Sequence, residues 1–237
     1  MVRLAAALGA VALAAAVPAS AFSFFDGFEG ETTGPSILNY AGFANWTVSD
    51  GTVDLVRSGD FRIRCRTGNY CVDLDGSTSN AGKFRLNLPI VFAAGETVAV
   101  EFWLSGNQRN GATDAQQVWF DFAAPTNLAS AVWTNGGVDT VYGPSPGVVA
   151  FGWNVSLPGT SPFLRYGVVF TPTEAGSATL WFDDWRAGND NIGLILDDVS
   201  VRISGAVIPE PATWAMLIAG FGLVGVAARR RQRPALA

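Results

Sequence analysis

Three short stretches of the chain hold residue types and spacings that could do chemistry. Gly220 to Gly225 reads GFGLVG, the spacing of a dinucleotide-binding turn; Cys65 and Cys71 bracket a short turn sequence; Asp73-Leu74-Asp75-Gly76-Ser77 has the spacing that opens a calcium loop. The glycine stretch would cradle a pyrophosphate only with a strand before it, a helix after it and an acidic residue about 20 positions on. Twelve residues follow Gly225, including Arg229, Arg230, Arg231 and Arg233, and none is Asp or Glu. Those glycines need another reading. The acidic stretch lacks the third acidic position and the closing Glu of an EF-hand, so a strand end turning at Gly76 accounts for it better. Asp183 with Asp184, or Asp73 with Asp75, could be nominated as a hydrolytic carboxylate pair. Adjacent acids in a Gly-rich loop are more often solvated or cation-binding. The chain has no histidine, which removes Ser-His-Asp and Cys-His constellations and the commonest zinc ligand. The expectation is a protein without catalytic residues, with a carboxylate-dependent polysaccharide-active enzyme as the lesser alternative.

The cysteines stand in FRIRCRTGNYCVDLDG, where alternating segments flank Thr67-Gly68-Asn69. That pattern predicts strand, tight turn and strand, with the two thiols facing across the hairpin. In an exported compartment they would oxidise to a Cys65–Cys71 disulfide. A metal site would need more soft ligands than two cysteines supply.

The two ends of the chain decide the compartment. Met1-Val2-Arg3, the apolar run Leu4 to Val17, and Pro18-Ala19-Ser20-Ala21 make a secretory signal peptide over residues 1–21, cleaved by signal peptidase after Ala21. Near the other end, Ala212 to Ala228 contains no Asp, Glu, Lys, Asn or Gln. As a helix it would be roughly 26 Å long, close to the hydrocarbon thickness of a bilayer. It reads as a transmembrane helix whose glycines permit close packing in lipid, with Arg229, Arg230, Arg231 and Arg233 as its cytoplasmic stop.

Before that helix stand Val207-Ile208-Pro209-Glu210-Pro211, then Trp214-Ala215-Met216 at its entrance. Residues Val207 to Arg233 resemble a PEP-CTERM sorting signal: triplet, Gly-rich apolar span and arginine cluster in fixed order. The resemblance implies that an exosortase, a membrane-embedded cysteine transpeptidase, cuts near Pro209-Glu210-Pro211 and sends the protein to a bacterial surface or extracellular matrix through an inner-membrane intermediate. The triplet would be substrate, its prolines holding Glu210 on extended backbone. A permanent membrane anchor is the alternative.

Residues 22–205 are long enough for one domain with a sizeable core. Of the 15 Lys+Arg, five lie in the end segments, leaving 10; of the 20 Asp+Glu one does, leaving 19, so the middle carries a charge near −9. Nucleic acid would be repelled, while cations or neutral glycans would not. Alternating β-branched and aromatic residues predict strands at Thr52 to Val56, Thr97 to Leu104, Gln117 to Phe122, Tyr166 to Phe170, Ala178 to Phe182 and Ile195 to Ile203. Loops rich in Gly, Asn, Asp and Pro are predicted at 105–114, 134–147 and 185–193. The fold class is all-β, an antiparallel β-sandwich most simply built as a jelly roll.

FFDGFEG at the start and IGLILDDVSVRI at the finish, with NWTVSDGTVDLV between, resemble the framing strands of galactose-binding-like jelly rolls, which include many carbohydrate-binding modules. That resemblance implies a structural calcium between first and last strands, held by Glu29 and Asp198, with Asp197 as second choice and backbone carbonyls completing the shell. Association with extracellular polysaccharide becomes the expected role, with an inert structural surface protein as the alternative. Trp133, Trp153 and Trp185, in or beside loops, are the candidates to stack on sugars. Trp46, Trp103, Trp119 and Trp181 lie in strand patterns and are expected in the core. The sequons at Asn45 and Asn154 are assigned no modification.

Overall fold

Alternation of apolar and polar residues becomes a set of strands that bury one side chain in two. The computed structural model describes residues 22–78, 80–183 and 191–205. The expected signal peptide, Asp184, Trp185, the PEP triplet, the expected membrane helix and the terminal arginines lie outside those residues.

Thirteen strands are described: β1 Phe22–Asp26, β2 Trp46–Ser49, β3 Asp54–Arg57, β4 Tyr70–Asp73, β5 Lys83–Leu86, β6 Ile90–Phe92, β7 Thr97–Ser105, β8 Thr113–Asn135, β9 Val138–Tyr142, β10 Ser145–Pro158, β11 Leu164–Pro172, β12 Gly176–Asp183 and β13 Ile195–Ser204. Every ladder between them is antiparallel. A 3₁₀ turn at Asp60–Arg62 is the sole helical element among the described residues. The antiparallel sandwich expected from the alternation is what forms.

The strands run as one continuous sheet that curls into two layers. One layer holds β2, β5, β12, the first half of β8, and β10, with β6 on β12; the other holds β3, β4, β13, β7, β11, the second half of β8, and β9, with β1 on β13. β8 belongs to both. Its residues Gln117 to Phe122 pair with β12, and Leu128 to Thr134 pair with β11. The change of layer falls at Ala123-Ala124-Pro125, where the β8–β10 register slips between Asp121↔Ala150 and Thr126↔Val148. Pro125 has no N–H to donate, so a break in the ladder costs least there.

The inner faces bury Phe84, Phe102, Phe120, Phe170 and Phe182, with Trp46 stacked on Phe84 at 4.5 Å and 9° between planes. Trp46 is thus in the core, as expected, and its indole N–H donates to Asp26.

Two local expectations change. Residues 134–147 are not a single loop: after a turn at Gly136-Gly137 the chain forms β9, and β10 starts at Ser145. The Pro and Gly spacing hid β9, whose five residues are all exposed and show no buried face. The cysteines are not on a hairpin either. Cys71 lies in β4, which pairs with β3, whereas residues 63–65 form no strand. The disulfide Cys65–Cys71 nevertheless forms, with the Cα atoms 5.4 Å apart.

Candidate functional site

Period-two alternation sorts the residues of the β2–β5–β12–β8–β10 layer onto two faces. Along β8, Val118, Phe120 and Phe122 point inward and are buried, while Gln117, Trp119 and Asp121 point outward. Along β12, Ala178, Leu180 and Phe182 are buried, while Thr179, Trp181 and Asp183 are partly exposed. Trp119 and Trp181 are therefore on the outer face, not in the core where strand membership alone placed them.

The register assembles a row across five strands. Thr47 is opposite Arg85, Arg85 opposite Trp181, Trp181 opposite Trp119, and Trp119 opposite Gly152. The two indoles have centroids 5.8 Å apart and planes inclined by only 22°. Each leans across the next strand in the same sense. Trp181 Nε1 on β12 donates to Asp121 Oδ2 on β8, and the Trp119 ring lies over Gly152 of β10, where a Cβ would come within 2.4 Å of Trp119 Cε3. Trp119 Nε1 donates to Gln117 Oε1 at 3.2 Å. The indole polar atoms are thus tied down within the face, leaving ring surface outward.

A polar row runs beside the aromatic one. Ser49 is opposite Lys83, Gln117 is opposite both Asp183 and Asn154, and Lys83 Nζ lies 3.5 Å from Asp183 Oδ2 and 3.7 Å from Asp50 Oδ2. The same ammonium stands 5.0 Å from the centroid of Trp181, a cation–π distance. On the other flank Thr179 is opposite Asp121. Flat rings between rows of amides, hydroxyls and carboxylates can stack on the apolar face of a sugar while bonding its hydroxyls.

The residues singled out from sequence fall elsewhere. Trp133 lies in β8 and Trp153 in β10, not in loops, and both turn inward: their rings meet at 5.2 Å, Trp133 packs on Phe151, and Trp153 packs on Phe102. Their Nε1 atoms are buried, while both residues remain partly exposed. Trp103 is on the outer face of the other layer, covered by the Arg66 guanidinium at 3.7 Å.

Glu29 and Asp198 each bond to the loop that the disulfide closes, at different residues. Glu29 Oε1 accepts from Asn69 N at 2.7 Å and Tyr70 N at 2.8 Å. Gly68, at φ 56°, approaches the same carboxylate so closely that a Cβ would lie 2.2 Å from Oε1. Asp198 pairs with Arg66 and accepts from Thr67 Oγ1 at 2.6 Å. Protein donors already meet these carboxylates, and among the described residues no group of three or more acids stands together to hold a metal. The donor set does not fit calcium, which needs six to eight oxygens. Asp73, at the end of β4, is fully buried, pairs with Arg109 and accepts from Asp75 N and Gly193 N.

Asp197 sits beside Asp198 and accepts from Arg66 N, Thr67 N and Asp198 N. Burial, reinforced by the Asp198 charge, pushes its carboxyl up to about 7 against those N–H donors. A folded value above the ordinary aspartate value means that the folded state holds its proton more tightly than the unfolded state. The resulting stability is fully present below about pH 4 and is lost as pH rises towards 7. Raising pH from 4.5 to 8 should therefore lower stability by an amount on the order of a few kcal/mol, read as a fall in unfolding temperature. Asp197→Asn should flatten that dependence.

With the fold and face described, the chain can be set beside known proteins. It is an antiparallel β-sandwich that carries a sorting tail: residues 207–231 match the PEP-CTERM protein-sorting motif. That motif marks an exported chain that passes through a membrane-anchored sorting intermediate and exosortase processing. No curated protein resembles the chain in sequence. Among solved structures it is similar to the enzymatically active domain of tailspike protein 4 of bacteriophage CBA120, at 16% identity and TM-score 0.40, over 70% of this chain and 20% of that one. The chain thus spans about a fifth of the tailspike. It is also similar to the CBM22-1 xylan-binding domain of Paenibacillus barcinonensis Xyn10C, at 10% identity and TM-score 0.39, over 73% of this chain and 94% of that one. A third likeness is to the K2 cleaved adhesin domain of Lys-gingipain, at 17% identity and TM-score 0.36, over 76% and 99%.

Proposed function

We propose that this exported protein is a non-catalytic component of a bacterial surface or extracellular matrix that associates with extracellular polysaccharide through the outer face of its β2–β5–β12–β8–β10 layer. The observation that carries the reading is the pair of near-parallel, outward indoles, Trp119 and Trp181, set in an otherwise polar sheet face. Two large aromatic rings held outward, with their N–H groups satisfied beneath, favour a stacking ligand over burial. The non-catalytic part is supported by the fate of the nominated acids: Asp73 is paired with Arg109, and Asp183 is within ion-pair distance of Lys83. Exosortase acts as the processing partner, and the polymer as the destination.

The test is to mix the full chain, purified in detergent, with the extracellular polysaccharide of the producing cells. Co-sedimentation is expected, with a change in tryptophan emission and no release of reducing ends. Protein left in the supernatant would overturn the binding role in favour of an inert structural one. Release of reducing ends that disappears in Asp183→Asn would favour an enzyme.

A further inference from the structure

The face has a direction, a shape and a charge, and together they select among polysaccharides. We infer that its ligand is an uncharged, extended polysaccharide chain lying across the strands along the row Thr47, Arg85, Trp181, Trp119, Gly152. This rests on the reading of the face as a polysaccharide platform.

Direction comes from register. The five residues stand opposite one another on β2, β5, β12, β8 and β10. Adjacent strands lie about 4.8 Å apart, so the row spans roughly 19 Å. The ring spacing of 5.8 Å lets neighbouring sugar units of an extended chain stack on neighbouring indoles. Arg85, exposed and directly beside Trp181 in the row, can lay a third planar group against the chain.

Shape follows from what surrounds the rings. The flanking outward residues include the uncharged Ser49, Thr179, Gln117 and Asn154, and Gly152 has no side chain to form a wall. A flat ribbon of sugars fits such a surface, whereas a coiled or heavily branched chain meets it at one unit only.

Charge selects further. The face holds Lys83 and Arg85 against Asp50, Asp121 and Asp183, and the lysine is within ion-pair distance of Asp50 and Asp183. The residual balance is acidic, as is the domain as a whole. A polyuronate or sulfated chain would therefore be repelled, and a neutral one would not.

Lys83 is the only lysine in the sequence, and its ammonium stands over Trp181. A sugar stacked on that ring packs against the ammonium and shields it from solvent. The experiment is amine-selective acetylation of the full chain in detergent, read by peptide mass spectrometry, with the N-terminal amine as internal reference. The probes are β-1,4-linked glucan, mannan and galactan hexasaccharides, their monosaccharides, and a polyuronate hexasaccharide. At least one neutral hexasaccharide should slow acetylation of Lys83 fivefold or more without slowing the N-terminus, while monosaccharides and the polyuronate leave both rates unchanged. Equal protection by the polyuronate, abolished in Trp119→Ala/Trp181→Ala, would overturn the neutral class and leave the platform standing. Equal protection by monosaccharides would overturn the extended, crosswise chain. If neither these probes nor the producer's own polysaccharide slows Lys83 acetylation, the platform itself falls.

Discussion

Replacing Arg109 by alanine should cost the domain about 3–5 kcal/mol, the range for removing one partner of a buried ion pair. Asp73 is 1% exposed, and its second oxygen is already committed to the N–H groups of Asp75 and Gly193. Burial raises its pKa well above the ordinary aspartate value, and Arg109 is the main influence that opposes the rise. Without the guanidinium the carboxylate must stay charged in a buried site, close enough to Asp54 to feel its charge, or take up a proton. In a domain of this size the loss corresponds to a fall in unfolding temperature of about 10 °C or more. Arg109→Ala combined with Asp73→Asn should recover part of it, because the amide oxygen can still accept from Gly193. Arg62→Ala, at an exposed position, should change stability by less than about 0.5 kcal/mol. Thermal unfolding of the four proteins decides the matter, and an Arg109→Ala chain as stable as wild type would show that the pair contributes nothing net.

The second large effect concerns binding without stability. Gly152→Val should weaken polysaccharide binding by at least roughly tenfold, although it removes no aromatic group and introduces a residue that strands favour. The new side chain would occupy the space in which Trp119 lies, within 2.4 to 2.8 Å of Cε3, Cζ3 and Cδ2. The indole must then swing away from its parallel arrangement with Trp181. Trp119→Ala/Trp181→Ala should lose more, since a buried aromatic anchor contributes about 2 kcal/mol or more, roughly thirtyfold for each ring. Both variants should unfold near the wild-type temperature because the rings lie outside the sandwich core. Titration followed by intrinsic fluorescence serves for Gly152→Val, and co-sedimentation serves for the double variant. Unchanged affinity in both would remove these rings from the binding site.

Much of this was legible in the sequence. β7, β12 and the first half of β8 are readable because each buries one face, so apolar residues alternate with polar ones, whereas β3 and the start of β13 are buried on both faces. β9 was not readable, since VDTVY is exposed throughout and lacks that contrast. The disulfide follows from six-residue spacing and compartment, but its setting does not: Cys71 pairs with Val56 in the β3–β4 ladder, so Cys65 lies in the connection between consecutive strands rather than on a strand opposite Cys71. The binding face is the instructive miss. In Gln117 to Phe122 the indole shares its face with Gln117 and Asp121, and in Ala178 to Asp183 with Thr179 and Asp183. The alternation therefore assigned both rings to the polar side. The average burial of tryptophan points the opposite way. Trp133 and Trp153 went the other way for the same reason: proximity to Gly and Pro suggested loops, while their strand partners turn them inward. The acids at 29, 197 and 198 each meet the 66–70 loop through its backbone, Thr67 or Arg66, partners which no short-range pattern announces.

The pairing of β1 with β13 joins Phe22 to Ile203, and β13 also pairs with β7 and β4 in the middle of its layer. The first and last strands to leave a ribosome, or to cross a membrane, must therefore meet before that layer can exist. Long-range pairing of this kind is slow, taking milliseconds to seconds in all-β domains. A chain that threads outward from its N-terminus stays without its central strand until Ser204 has emerged, three residues before the sorting motif begins at 207. Completion of the fold and arrival of the sorting segment thus coincide in time, so the sandwich closes only when the whole domain is already outside.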